Sequence, residues 1–193
     1  MKKIFTILLL AAAVIVMLTD QALAAKNSEK QNVGIEVAIE TRAGKVYDYI
    51  LIGMHKDATD GLDNAYDTVT PGQGVSDQYI LMVVPHPDWK SLKTDFRTDF
   101  RAITKSNTWE ATVMTNLPDG TSLTMSIDQE QSKLPTGYAV IVEDMATGAA
   151  QDLEKGAYVF PVKTSGLARQ FRITLKKDGG KDHSKKDEKT DRH

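Results

Sequence analysis

Apolar side chains recur at every second position along most of this chain, and that periodicity constrains the fold more than any other feature. Ile35, Val37 and Ile39 alternate with Glu36, Ala38 and Glu40. Leu123, Met125 and Ile127 alternate with Thr124 and Ser126, and Phe171, Ile173 and Leu175 with Arg172, Thr174 and Lys176. A period of two gives a strand one dry face and one wet face. The runs Val46–Met54, Tyr79–Val84, Tyr138–Val142 and Tyr158–Val162 are more evenly apolar and read as strands covered on both sides. Trp109–Thr115 and Thr121–Asp128 flank Asn116-Leu117-Pro118-Asp119-Gly120, whose Pro-Asp-Gly predicts a hairpin turn.

One stretch fits two periods. Thr94-Asp95-Phe96-Arg97 is repeated as Thr98-Asp99-Phe100-Arg101. Phe96, Phe100 and Ile103 suit a helix face, whereas a strand puts Phe96, Thr98, Phe100 and Ala102 on one side. The surrounding β pattern favours the strand. Short strands at turn-punctuated spacing, without alternating helices, predict an all-β antiparallel sandwich over residues 33–176. The Val33–Arg42 and Val46–Met54 pair is a candidate free edge for a partner's strand.

The ends differ from the middle. Lys2 and Lys3 precede an apolar run from Ile4 to Leu18, and Ala22-Leu23-Ala24 follows. This is the pattern of a Sec-type signal peptide cleaved after Ala24, with residues 25–32 a flexible lead-in. The apolar run is shorter than the roughly 20 residues a membrane-spanning helix needs, so no transmembrane segment is expected after cleavage. Export implies a periplasmic or extracellular location. At the other end, residues 177–193 mix both charge signs with no apolar side chain, the composition of a disordered tail.

Composition narrows the chemistry. The 193 residues include no cysteine, which excludes disulfides, thiolate zinc sites and iron–sulfur ligation. A net charge of −2 lacks the basic excess a nucleic-acid partner requires. No Gly-x-Ser-x-Gly or His-Glu-x-x-His motif occurs. Outside the tail the histidines are His55, just ahead of an acidic loop, and His86, which reads as an exposed turn residue between two prolines.

Two groups of residues are candidate sites. Asp57, Asp60, Asp63, Asn64 and Asp67, with Gly61 among them, are candidate calcium ligands, because a hard cation takes several oxygens from one loop. The spacing is not that of an EF-hand, and the same aspartates suit turn capping. Trp89, with Tyr66 and Tyr79, is a candidate sugar-stacking platform, while Trp109 begins an alternating strand and reads as core.

The segment from Leu51 to Leu175 resembles a poorly characterised immunoglobulin-like β-sandwich module of secreted and surface bacterial proteins. The likeness rests on Asp57–Asp63, Asp95-Phe96-Arg97, Trp109, Leu123–Asp128 and Leu134-Pro135. It continues through Val142-Glu143-Asp144, Tyr158-Val159-Phe160 and Arg169–Ile173. Such modules carry an aromatic residue in the strand where this chain has Met125 or Ile127. The resemblance implies a non-catalytic role and no particular ligand.

Three functions follow as expectations. The first is a secreted, non-catalytic protein that binds an envelope or extracellular protein or glycan and requires no cofactor. The second is a carbohydrate-binding module with calcium as scaffold. The third is a small periplasmic hydrolase using His55 with Asp57 or Asp60.

Overall fold

The computed structural model describes residues 32–71, 77–163 and 168–178, so the signal-peptide and tail assignments lie outside the described residues, apart from Lys177 and Asp178. Every regular element among the described residues is a strand. They are β1 (Val33–Thr41), β2 (Tyr47–Met54), β3 (Thr68–Val69), β4 (Ile80–Pro85), β5 (Asp95–Arg101) and β6 (Ser106–Thr115). Then come β7 (Ser122–Lys133), β8 (Tyr138–Asp144), β9 (Ala150–Asp152), β10 (Tyr158–Pro161) and β11 (Arg169–Lys177).

All eleven strands join one sheet in the order β10-β7-β1-β2-β5-β4-β6-β11-β8-β9, with β3 pairing β5 off this path. The sheet curls into a nearly closed barrel with no clear division into the two layers of an immunoglobulin-like sandwich. The corner is β4. Its residues Ile80–Val83 pair with β6, and Val84 and Pro85 pair with β5. A strand that changes partners along its length turns a sheet without breaking its hydrogen bonds.

The all-β class holds, but the antiparallel expectation does not. β2 and β5 run parallel, Leu51 beside Thr98 and Met54 beside Arg101. A parallel pair needs a long crossover, and here residues 55–94 supply it through β3 and β4. Nor is β1–β2 a free edge. β1 lies between β2 and β7, and β2 between β1 and β5.

The period-two residues go where their pattern sends them. Val33, Ile35, Val37 and Ile39 are fully buried, as are Ile50, Ile52 and Met54. They meet Trp109, Met125, Phe171, Ile173 and Leu175 in one continuous core. The five residues Ile80–Val84 are buried throughout, as expected of a doubly covered strand. β10 instead alternates, with Phe160 buried and Val159 exposed, because it pairs on one side only.

The Pro-Asp-Gly segment turns the chain but makes no hairpin. β6 pairs with β4 and β11, whereas β7 pairs with β1 and β10. Leu117 is buried in the connection, and the Gly120 amide, at φ 84°, donates to the Val162 carbonyl at 2.8 Å. The turn therefore arches across the barrel end instead of folding its strands together.

The ambiguous segment is strand β5, but its two phenylalanines part company. Phe96 is buried against His86 and Trp89, while Phe100 lies across Gly34 and Gly53. The register against β3 slips between Phe96 and Thr98, which reverses the side-chain alternation at that point.

Candidate functional site

Four constellations hold the chemistry-bearing side chains. The first begins where β4 ends. His86 follows Pro85, and its amide donates to the Thr94 carbonyl at 2.7 Å, closing the loop that leads into β5. Its ring is buried, which corrects the exposed-turn expectation. Nε2 lies 2.8 Å from Oδ2 of the fully buried Asp99. Trp89 stacks on the imidazole at 3.5 Å between centroids and 6° between planes, and Phe96 packs edge-on. Arg101 donates through Nη2 to Asp99 at 3.0 Å and lies over the Trp109 ring. Burial pushes the Asp99 carboxyl up, but the bonds from His86 and Arg101 outweigh it and hold the group below its ordinary value. A ring covered on one face and bonded at Nε2 is an anchor for its loop.

The second constellation is the acidic loop. Asp63 Oδ2 accepts the Thr59 amide at 2.7 Å, and its carbonyl accepts the amides of Tyr66 and Asp67. Asp67 accepts the amides of Asp63 at 2.6 Å and Phe100 at 3.1 Å. Asp57 pairs with Lys56 at 2.6 Å, while Asp60 and Asn64 are exposed. These are turn-capping bonds of the kind short aspartates make. Among the described residues no three His, Asp or Glu side chains converge as a metal site. His55 packs against Tyr66 with the rings tilted and 4.6 Å between centroids, and its Nδ1 accepts the Asp57 amide.

The third constellation closes the barrel. Asp144 ends β8, Arg169 opens β11 and Tyr158 opens β10, which lies at the opposite end of the strand path from β8 and β9. Arg169 donates to Asp144 through Nε at 3.2 Å and also through Nη2, and Tyr158 donates through its hydroxyl at 2.8 Å. Arg169 Nη1 donates to the Pro161 carbonyl at 2.9 Å, with the guanidinium over Phe160. One buried carboxylate thus ties β10, at one end of the strand path, to β8 near the other. Three of the short motifs that carried the sequence resemblance meet here.

Burial alone would raise the Asp144 pKa, but the bonds from Arg169 and Tyr158 bring it down to about 2. A folded pKa below the unfolded value near 3.8 adds stability that is present above about pH 5. That stability, about 2 kcal/mol, drains away as the pH falls through 2. Asp67 and Glu36 run the other way. Burial raises both, with nearby Asp99 and Asp63 adding to it for Asp67 and Asp128 for Glu36, so acid relieves them. Urea unfolding at pH 5 and pH 2 is therefore expected to show a smaller acid loss in Asp144→Asn than in the parent chain, by about 2 kcal/mol. Equal losses in the two chains would contradict this assignment.

The fourth constellation is a surface groove of about 740 Å³ between the β1–β2 turn and the start of β4. Lys45, Val46 and Tyr47 line one wall, and Asp77, Gln78 and Tyr79 the other. Tyr47 is 67% exposed.

The expected aromatic platform is thus distributed. Trp89 sits against His86, Tyr66 against His55, and Tyr79 in the groove beside Tyr47. Tyr47 escaped the sequence reading because it stands in an apolar run taken as strand interior. Its one signal is its position as the first residue of the strand, ahead of the buried series. No protein-family model, curated protein or solved structure matches this chain.

Proposed function

We propose that this protein is exported and acts without catalysis, by associating with a protein or glycan of the bacterial envelope or its surroundings. The observation that carries the reading is the filled interior. Trp109, Phe171, Met82 and the β1 isoleucines fill the space in which a ligand-carrying barrel would hold its ligand. A gap beside Phe160 and Arg169 measures about 20 Å³, room for roughly one water. Two buried pairs, His86 with Asp99 and Asp144 with Arg169, bond one another. Recognition therefore falls to the outer surface and the loops, as in the secreted modules the sequence resembles. The basic start, apolar run and Ala22-Leu23-Ala24 site support export.

Expression of the full sequence in a bacterial host tests both halves of the reading. N-terminal sequencing is expected to give Ala25 in the exported fraction, and the processed protein is expected to co-sediment saturably with purified envelopes. A retained N-terminus, an absence of saturable binding, or hydrolase turnover abolished by His55→Ala would each overturn it.

A further inference from the structure

We propose that the groove between the β1–β2 turn and the start of β4 binds a neutral oligosaccharide, an inference that rests on the binding role above and names its ligand class. Sugar rings present apolar C–H faces and a rim of hydroxyls, so their sites pair exposed aromatic rings with hydrogen-bonding side chains. This groove has an exposed ring in Tyr47, a half-buried one in Tyr79, and polar side chains beside them. Tyr47 and Tyr79 stand on opposite walls, with the Lys45 ammonium, the Asp77 carboxylate and the Gln78 amide around them. One cation and one anion leave the lining without net charge, which fits a neutral ligand better than an acidic one. The volume of about 740 Å³ lies within the range of small-ligand sites, and its open form suits a chain of sugars lying along it.

Both walls are held in place before any ligand arrives. The Thr41 amide donates to the Val46 carbonyl at 3.0 Å, and the Gly44 amide to the Thr41 carbonyl at 2.7 Å. Gly44 takes φ 64°, a conformation that costs glycine little. Tyr47 then enters the β2 ladder opposite Glu40. On the other wall, Asn116 clamps the chain from both sides of Gln78. Its Oδ1 accepts the Tyr79 amide at 2.9 Å, and its Nδ2 donates to the Asp77 carbonyl at 2.7 Å. Thr115 Oγ1 donates to the Tyr79 carbonyl at 2.6 Å. Two tyrosines on fixed backbones lose little freedom on binding. A tyrosine two-thirds exposed at the start of a strand also contributes little to the core, which leaves its ring free for contact.

The test uses protein expressed from the full sequence, a glycan array carrying neutral hexose and N-acetylhexosamine oligomers beside uronic-acid oligomers, and calorimetry with cellohexaose and chitohexaose. The wild type is expected to bind members of the neutral series in preference to the uronic acids. Tyr47→Ala and Tyr79→Ala are each expected to weaken binding about tenfold or more. Tyr47→Phe keeps the ring and is expected to stay within about threefold, and Leu92→Ser, a fully exposed site elsewhere, is expected to leave binding unchanged. An unaltered melting temperature in Tyr47→Ala separates loss of contact from loss of fold. The inference is overturned by no binding to the neutral probes, by preference for the uronic acids, or by tyrosine variants that bind as the wild type does. Envelope co-sedimentation that persists in Tyr47→Ala at full strength overturns the groove while sparing the association role. Its absence in the wild type removes that role itself.

Discussion

Asp144→Ala is expected to lower stability by about 3 kcal/mol, because it leaves the mostly buried Arg169 guanidinium without its carboxylate. Arg169, Tyr158, the Thr147 side chain and the Ala146 amide, at 3.0 Å, all converge on this side chain. Removing the acceptor leaves each of them without a bond that water replaces only in part. The damage should be local in origin and global in effect, since the carboxylate joins β10, at one end of the strand path, to β8 near the other. Urea unfolding measures the loss. Replacing both partners, Asp144→Leu with Arg169→Met, should recover part of it, because the cost lies in the unpaired charge and not in the missing bond. A single variant within about 1 kcal/mol of wild type would contradict the assignment.

The second large effect is expected at Gly53. A Cβ built there would lie 2.1 Å from the Val33 carbonyl oxygen and 2.6 Å from the Phe100 ring. The first of these neighbours is backbone in the β1 ladder, so it cannot swing aside. Gly53→Val is expected to cost about 3 kcal/mol and to loosen the β1–β2 pair. Gly34, its partner in the register, offers a contrast. A Cβ there meets the Phe100 ring alone, at 3.3 Å, and a side chain can give by a few tenths of an ångström. Gly34→Ala is therefore expected to stay within about 1 kcal/mol of wild type. Adding Phe100→Ala should relieve Gly34→Ala but not Gly53→Val. Thermal melts of the four chains check the ordering.

The pairing of these two glycines under Phe100 also shows where sequence reading stops. Alternation in Ile35–Ile39, Leu123–Ile127 and Phe171–Leu175 reported buried faces, because burial is a property of each residue's own position on a pleat. Pairing is a relation between distant residues, and alternation is silent about it. Nothing in Leu51–Met54 or Thr98–Arg101 announces that these stretches lie side by side and parallel. The Pro-Asp-Gly turn was legible as a turn, yet its strands diverge because Leu117 and Val162 draw the connection over the barrel end.

The sites divide the same way. Asp57, Asp63 and Asp67 were visible as a cluster because they are close in sequence, and two of them cap their own loop. Asp144, Tyr158 and Arg169 are brought together only by the ladder, fourteen and twenty-five residues apart. His86 reads as exposed from its flanking prolines, since neither Asp99 nor the stacked Trp89 ring declares itself as a partner in sequence. Tyr47 and Tyr79 share a groove because the fold brings the β1–β2 turn beside the start of β4, a proximity no local pattern encodes.

That the barrel is drawn shut around a packed interior, leaving its outside to make contacts, is tested most directly by amide hydrogen exchange on the wild type and Asp144→Asn at neutral pH. Slow exchange in both β8 and β10 of the wild type, with at least a tenfold acceleration in those strands in the variant, is the outcome the nearly closed barrel predicts. Fast exchange along β10 in the wild type, or identical protection in the two proteins, would contradict it.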